Sequence, residues 1–152
     1  MSPRSTSRRS LLATALAVPT AAVGAPLLSA TPAAAAPAGV VTVVDWSDVA
    51  LAAGITAQAP VQARVVGIAG TEFLQLRGTV GCSLTADAQL GTLPVAIRPP
   101  KTTRGICPRN NNTGINATRV EADTAGRVMV YGPLAANPVT WIQLDSFSSV
   151  LR

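Results

Sequence analysis

Past Gly39, no stretch longer than about ten residues carries a helical apolar stripe free of glycine or proline, and the apolar residues recur with period two. Strands are the only regular structure such a chain can form. The clearest unit is Thr118-Arg119-Val120-Glu121-Ala122-Asp123, a Thr124-Ala125-Gly126 turn, and Arg127-Val128-Met129-Val130-Tyr131. Val120, Ala122, Val128 and Val130 share one face of it, which predicts a β-hairpin with a single buried side. A second hairpin is predicted from Gln62 to Val66, through Ala69-Gly70-Thr71, into a strand from Glu72 to Val80. Val40 to Val44, Leu93 to Ile97 and Val139 to Leu144 complete the clear strands, and Pro99 to Gly114 is expected to be an exposed loop. Six to eight short strands at a spacing of about ten residues predict an all-β chain, an antiparallel sandwich or jelly-roll-like single domain over 40–152.

Ahead of that domain the charge distribution changes. Arg4, Arg8 and Arg9 are followed by no charged residue until Asp45, and Leu11 to Ala36 consists mainly of Ala, Leu, Val, Thr and Ser. A positive start, a mildly apolar middle and a small-residue end make residues 1–36 an expected export signal. Ser7-Arg8-Arg9-Ser10-Leu11-Leu12 resembles the twin-arginine motif, with Arg8 and Arg9 as the paired cations, which implies secretion of an already folded protein. Pro19, Gly24 and Pro26 argue against a stable membrane span in the same segment. No membrane association is expected once the signal is cleaved.

Removing the signal removes three of the twelve basic residues, leaving nine against seven carboxylates. These nine are scattered from Arg64 to Arg152 without a dense cationic face, so nucleic acid is not an expected partner. The only cysteines, Cys82 and Cys107, both lie in the exported part, where a single disulfide is the economical expectation. A bridge closing a loop of that length would stabilise the domain by about 3 to 4 kcal/mol.

The chain has no histidine, which removes the usual base of a serine or cysteine nucleophile. Among the carboxylates, Glu121 and Asp123 share a strand face and could in principle serve as a glycosidase-like pair, with a solvated hairpin edge and a turn as their simpler explanation. Asp45, Asp48 and Asn110 to Asn112 are the best oxygen donors for a calcium ion, yet they lack ligand spacing, and no metal or cofactor is expected. Aromatic residues amount to only 3%, which makes each one informative. Phe73, Tyr131 and Trp141 fall on the polar faces of their strands and are the candidate contacts to a ligand or a neighbouring subunit.

The order of segments resembles the terminal β-domains of bacteriophage tail fibres and minor tail proteins. The residues that carry the resemblance are Trp46, Leu76-Arg77-Gly78-Thr79-Val80, Thr92-Leu93-Pro94-Val95-Ala96-Ile97-Arg98-Pro99, the turn at Gly126 and Trp141-Ile142-Gln143-Leu144-Asp145. It spans roughly Val44 to Phe147 and departs from the family's pattern where Ala96 stands for a glycine and in having paired cysteines. The resemblance implies a non-catalytic domain for attachment to a cell-surface glycan or protein. A structural or self-assembling envelope protein, as a homotrimer, is the alternative, and a small carboxylate-dependent hydrolase a distant third.

Overall fold

The computed structural model describes residues 39–152; the export signal expected over 1–36, with Arg8 and Arg9, lies outside them. Twelve strands follow in order: β1 (Val40–Asp48), β2 (Ala50–Leu51), β3 (Thr56–Ala57), β4 (Gln62–Ile68), β5 (Thr71–Arg77), β6 (Thr79–Leu84), β7 (Ala88–Thr92), β8 (Thr103–Asn112), β9 (Ile115–Ala122), β10 (Arg127–Tyr131), β11 (Val139–Gln143) and β12 (Ser148–Val150). They form two antiparallel sheets, one ordered β1-β4-β5-β12 and the other β2-β7-β10-β9-β8-β11-β6-β3. The all-β antiparallel domain expected from the period-two pattern is the fold.

The larger sheet curls. Its two edges, β2 and β3, are separated in the chain only by a turn in which Ile55 N–H donates to Ala52 O at 3.1 Å, so the sheet closes almost into a barrel. Val80, Leu90, Leu93, Ile97, Val120, Val128, Val130 and Ile142 fill its interior together with Ala63, Val65, Leu74 and Leu76 of the smaller sheet. The strand expected over Leu93 to Ile97 is instead a 3-10 turn, Val95–Ile97, with Leu93 and Ile97 buried in the core and Val95, Ala96 and Arg98 exposed.

Both predicted hairpins form. Ala69 and Gly70 link β4 to β5 at φ 49 and 84, a two-residue turn with both central residues left-handed. Between β9 and β10 the Asp123 Oδ1 accepts from the N–H groups of Ala125 and Arg127, at 3.0 and 2.9 Å. The strand expected to run on to Val80 instead breaks at Gly78, where the chain passes from the smaller sheet to the larger. There Gly78 N–H donates to Asp145 Oδ1 at 2.9 Å and Leu144 N–H donates to Gly78 O at 2.8 Å. That hydrogen bond from Gly78, followed by one from the Gln143 side chain, holds the Asp145 carboxyl below its ordinary range.

Two further expectations are corrected. The segment expected to be a loop, Pro99 to Gly114, contains the ten-residue strand β8, which lies between β9 and β11 with Thr103, Cys107 and Arg109 buried. Its inward positions carry small or polar side chains, so no apolar alternation announces it. The disulfide is also absent: Cys82 and Cys107 are free thiols. β11 separates β6 from β8, which puts the two cysteines about 10 Å apart across the sheet, beyond the roughly 7 Å that a bridge tolerates. They are offset along β11 as well. Cys107 is two residues from Arg109, which pairs with Ile142, whereas Cys82 Sγ lies 3.4 Å from Val139 O. Thiol titration of the denatured protein should therefore return two free sulfhydryls per chain, and none would restore the bridge. In the native protein Cys82 should react first, because Cys107 is fully enclosed and burial pushes its thiol up to about 11.

In the smaller sheet the first and last strands are the two edges. Val40 lies across from Ile68, Val150 lies across from Phe73, and Glu72 N–H donates to Arg152 O at 2.9 Å.

Candidate functional site

The most distinctive surface group lies on the outer face of the smaller sheet. Side chains of Gln62, Arg64 and Val66 on β4 alternate to the same side as Phe73, Gln75 and Arg77 on β5, as their register pairs require. Trp46 joins them from β1, at a point where β1 is irregular between Val44 and Ser47 and presents the indole to this face. The guanidinium carbons of Arg64 and Arg77 lie over the Trp46 ring, 4.5 and 4.2 Å from its centroid. Contacts of this kind contribute about 0.5 to 1 kcal/mol each at exposed sites.

Two glutamines orient the cations. Arg64 Nε donates to Gln75 Oε1 at 2.9 Å, and Arg77 donates from Nε and Nη2 to Gln62 Oε1. Gln62 in turn donates to Asp48 Oδ1 at 2.8 Å. The four ion pairs of the described residues lie elsewhere: Arg104 and Arg119 on Glu121, Arg127 on Asp123, and Arg152 on Glu72. Neither Arg64 nor Arg77 forms an ion pair among the described residues, although the charge of Arg77 helps to lower the Asp145 pKa.

The three aromatic candidates do not form one surface. Phe73 belongs to the smaller sheet, while Tyr131 on β10 and Trp141 on β11 are separated by β9 and β8 in the larger one. All three are half-buried. Tyr131 has its own cation, with Arg119 4.6 Å from the ring centroid. Trp46 carries the strongest aromatic–cation grouping, although the alternation that selected the other three passed it over.

Glu121 and Asp123 are both engaged. Glu121 Oε1 lies 2.7 Å from Arg104 Nε and 3.1 Å from Arg119 Nε, which cover it. Asp123 caps its turn and pairs with Arg127 at 2.7 Å; desolvation is the largest single influence and raises its pKa, but the hydrogen bonds and charge of Arg127 and the Ala125 N–H together prevail and lower it. The oxygen donors considered for calcium are dispersed. Asp45 and Asp48 are on β1, whereas Asn110 on β8 accepts from Thr140 N–H at 2.8 Å. Among the described residues no three His, Cys, Asp or Glu side chains gather as a metal site would need.

A further apolar feature is the other end of the smaller sheet. Val41, Val43, Gly67, Ala69 and Glu72 line an open hollow of about 280 Å³. Val40, Val41, Val43 and Ile68 are exposed there. No helix of the described residues is long and apolar enough to cross a membrane.

No family model matches the chain, and no curated protein matches it. Solved structures do. The receptor-binding protein of Listeria phage PSA is similar over 73% of this chain and 67% of its own, with a TM-score of 0.56 and 16% identity. The head domain of lactococcal phage bIL170, described with the receptor-binding domains of such phages, is similar over 72% of this chain and 99% of its own, with a TM-score of 0.51 and 16% identity. The all-β fold of residues 39–152 is thus similar to the folds of these two phage proteins.

Proposed function

We propose that this chain is an exported, non-catalytic attachment domain that binds a receptor, glycan or protein, on a cell surface. The observation that carries this reading is the placement of aromatic rings beside guanidinium groups at solvent-facing strand positions, Trp46 with Arg64 and Arg77, and Tyr131 with Arg119. Flat, amphipathic groups held rigidly by a sheet suit recognition, because little side-chain freedom remains to be lost on binding. The fold shared with two phage proteins named for receptor binding supports it. On this reading Phe73, Tyr131 and Trp141 are further contacts to the receptor, and the twin-arginine signal with Arg8 and Arg9 delivers the domain to the cell exterior.

Retention of the full chain on intact cells and on purified cell-wall material tests the proposal. Wild type should be retained well above an unrelated β-protein of similar charge, and a Tyr131→Ala/Trp141→Ala variant should be retained less. Failure of the wild type to be retained on either material overturns the reading. The exposed Val40, Val41, Val43 and Ile68 favour one rival, self-assembly as an envelope protein. Light scattering separates them: a monomer supports the attachment module, and a trimer supports assembly.

A further inference from the structure

The inner face of the smaller sheet is left uncovered at the end near Ala69 and Gly70. Val41 and Val43 of β1 lie there on the same side as Gly67 and Glu72, yet they remain 54% and 46% exposed. These four residues line the apolar hollow of about 280 Å³. A second hollow of about 150 Å³ shares Val43 and Glu72 with it and extends over Val65 to Ile97, Arg98 and Leu151. Both walls of the groove are fixed. Glu72 N–H donates to Arg152 O at 2.9 Å and Leu151 N–H to Glu72 O at 2.8 Å, while Ile97 N–H closes the 3-10 turn on Pro94 O at 2.9 Å. The groove is formed before any ligand arrives.

Gly67 keeps the hollow open. A glycine inside a strand weakens it, and such a residue often marks a bulge or a place where a ligand or another backbone comes close. No bulge accounts for this one, because Val40, Val41 and Thr42 pair in regular register with Ile68, Gly67 and Val66, and Gly67 does not have a positive φ. A Cβ placed on it would touch Val43 Cγ2 at 3.7 Å and Val41 O at 3.8 Å, ordinary contact distances, so the chain leaves empty a space that a side chain could fill. The hollow is about twice the roughly 150 Å³ in which a buried apolar cavity accepts benzene, room for about ten to twelve carbons. Its charges are unequal. Arg152 Nε lies 2.9 Å from Glu72 Oε2, which neutralises that pair, whereas Arg98 forms no ion pair among the described residues. The stem of Arg98 lies against the turn at Gly126, with Cγ 3.0 Å from where a Cβ on that glycine would sit, and this keeps the guanidinium beside the groove.

We infer that this groove binds a free medium-chain fatty acid, with the acyl chain lying along Val41, Val43 and Gly67 and the carboxylate held by the Arg98 guanidinium. The site is separate from the Trp46 face and does not depend on the attachment reading. A bilayer surface fits less well, because the space holds a single chain and Glu72 opens on to it. A second copy fits less well too: in a two-fold contact the same patch meets itself, and two concave faces leave a void between them.

Calorimetric titration of the full chain with hexanoate, octanoate, decanoate and tetradecanoate below their micelle concentrations tests the inference, with decanol and phosphatidylcholine vesicles as the uncharged and membrane probes. One decanoate should bind per chain. Each methylene added from hexanoate onward should raise the affinity by up to about fourfold, with little gain past about twelve carbons. Decanol should bind about tenfold or more weakly, and Arg98→Gln should weaken decanoate to the same degree while leaving decanol unchanged. Gly67→Leu, which fills the hollow, should abolish binding. Val41→Ser/Val43→Ser changes only exposed positions and should weaken decanoate by about tenfold, so it decides the matter should the leucine variant fail to fold. The inference is overturned by decanol binding as tightly as decanoate, by affinity that does not grow with chain length, by vesicles binding as well as the free acid, or by folded variants that bind like wild type. Absence of binding by every chain length overturns it as well, and is the result expected if a second copy or the residues before Gly39 cover the hollow.

Discussion

Gly78→Ala should abolish cooperative folding or lower stability by about 4 kcal/mol or more, a large share of the 5 to 15 kcal/mol typical of a domain. A Cβ on Gly78 would sit 2.2 Å from Pro60 O and 2.8 Å from Pro60 C, and the residue has φ +105. Both colliding atoms belong to the backbone, so no side chain can swing away. The left-handed conformation alone costs a non-glycine residue about 1 to 3 kcal/mol. The corner cannot drift either, since Asp145 holds the Gly78 N–H and Leu144 holds its carbonyl. Gly70→Ala is the control: its φ is +84 but nothing lies within 4 Å, so only the turn strain, about 1 kcal/mol, is expected. Urea unfolding of the two variants decides the matter, and a Gly78→Ala midpoint close to that of Gly70→Ala would refute the account of the corner.

Arg109→Met should destabilise the domain by about 3 kcal/mol, with Arg109→Lys recovering little of it. Arg109 is 2% exposed and has no carboxylate partner among the described residues. Its Nη2 donates to Asn137 Oδ1 at 2.7 Å, to Pro138 O at 2.9 Å and to Asn137 O at 3.3 Å, and Nε donates to Asn110 O at 3.2 Å. Methionine fills much of the volume but leaves Asn137 Oδ1 without its donor, at about 1 to 3 kcal/mol, and leaves Pro138 O with Asn110 Nδ2 alone and Asn137 O with Leu134 N–H alone, while relief from burying a charge offsets part of the loss. Lysine keeps the charge and loses the planar fork that reaches several carbonyls at once. Thermal unfolding measures the difference, and a methionine variant as stable as wild type would show that the buried charge contributes no net stability.

Arg109 also shows why parts of the fold were hidden in the sequence. The hairpins at Gly70 and Gly126 were legible because glycine, Asp123 and the alternating valines act within a few residues. Strand β8 was not, since its inward residues include Thr103, Cys107 and Arg109, and Arg109 can be buried only because Asn137 and Pro138, 28 and 29 positions away, supply its acceptors. The disulfide expectation failed for a related reason: sequence spacing carries no information about β11 lying between the two cysteines.

The candidate site was legible to a similar degree. Alternation placed Phe73, Tyr131 and Trp141 on outward faces and left them half-buried there, but it says nothing of strand order, and the three are spread over two sheets. Trp46 was hidden because the irregular stretch between Val44 and Ser47 breaks the alternation just where β1 continues. The approach of Arg64 and Arg77 to its ring follows only from the pairing of β1 with β4 and β4 with β5.

Because the smaller sheet takes its edges from opposite ends of the domain, Val40 and Arg152 lie at one pole of it, near the turn at Ala69 and Gly70. Trp46 and Arg77 stand at the other pole, about six residues or 20 Å along the strands. A label attached at Arg152 would therefore sit a strand's length away from the indole and leave that face uncovered.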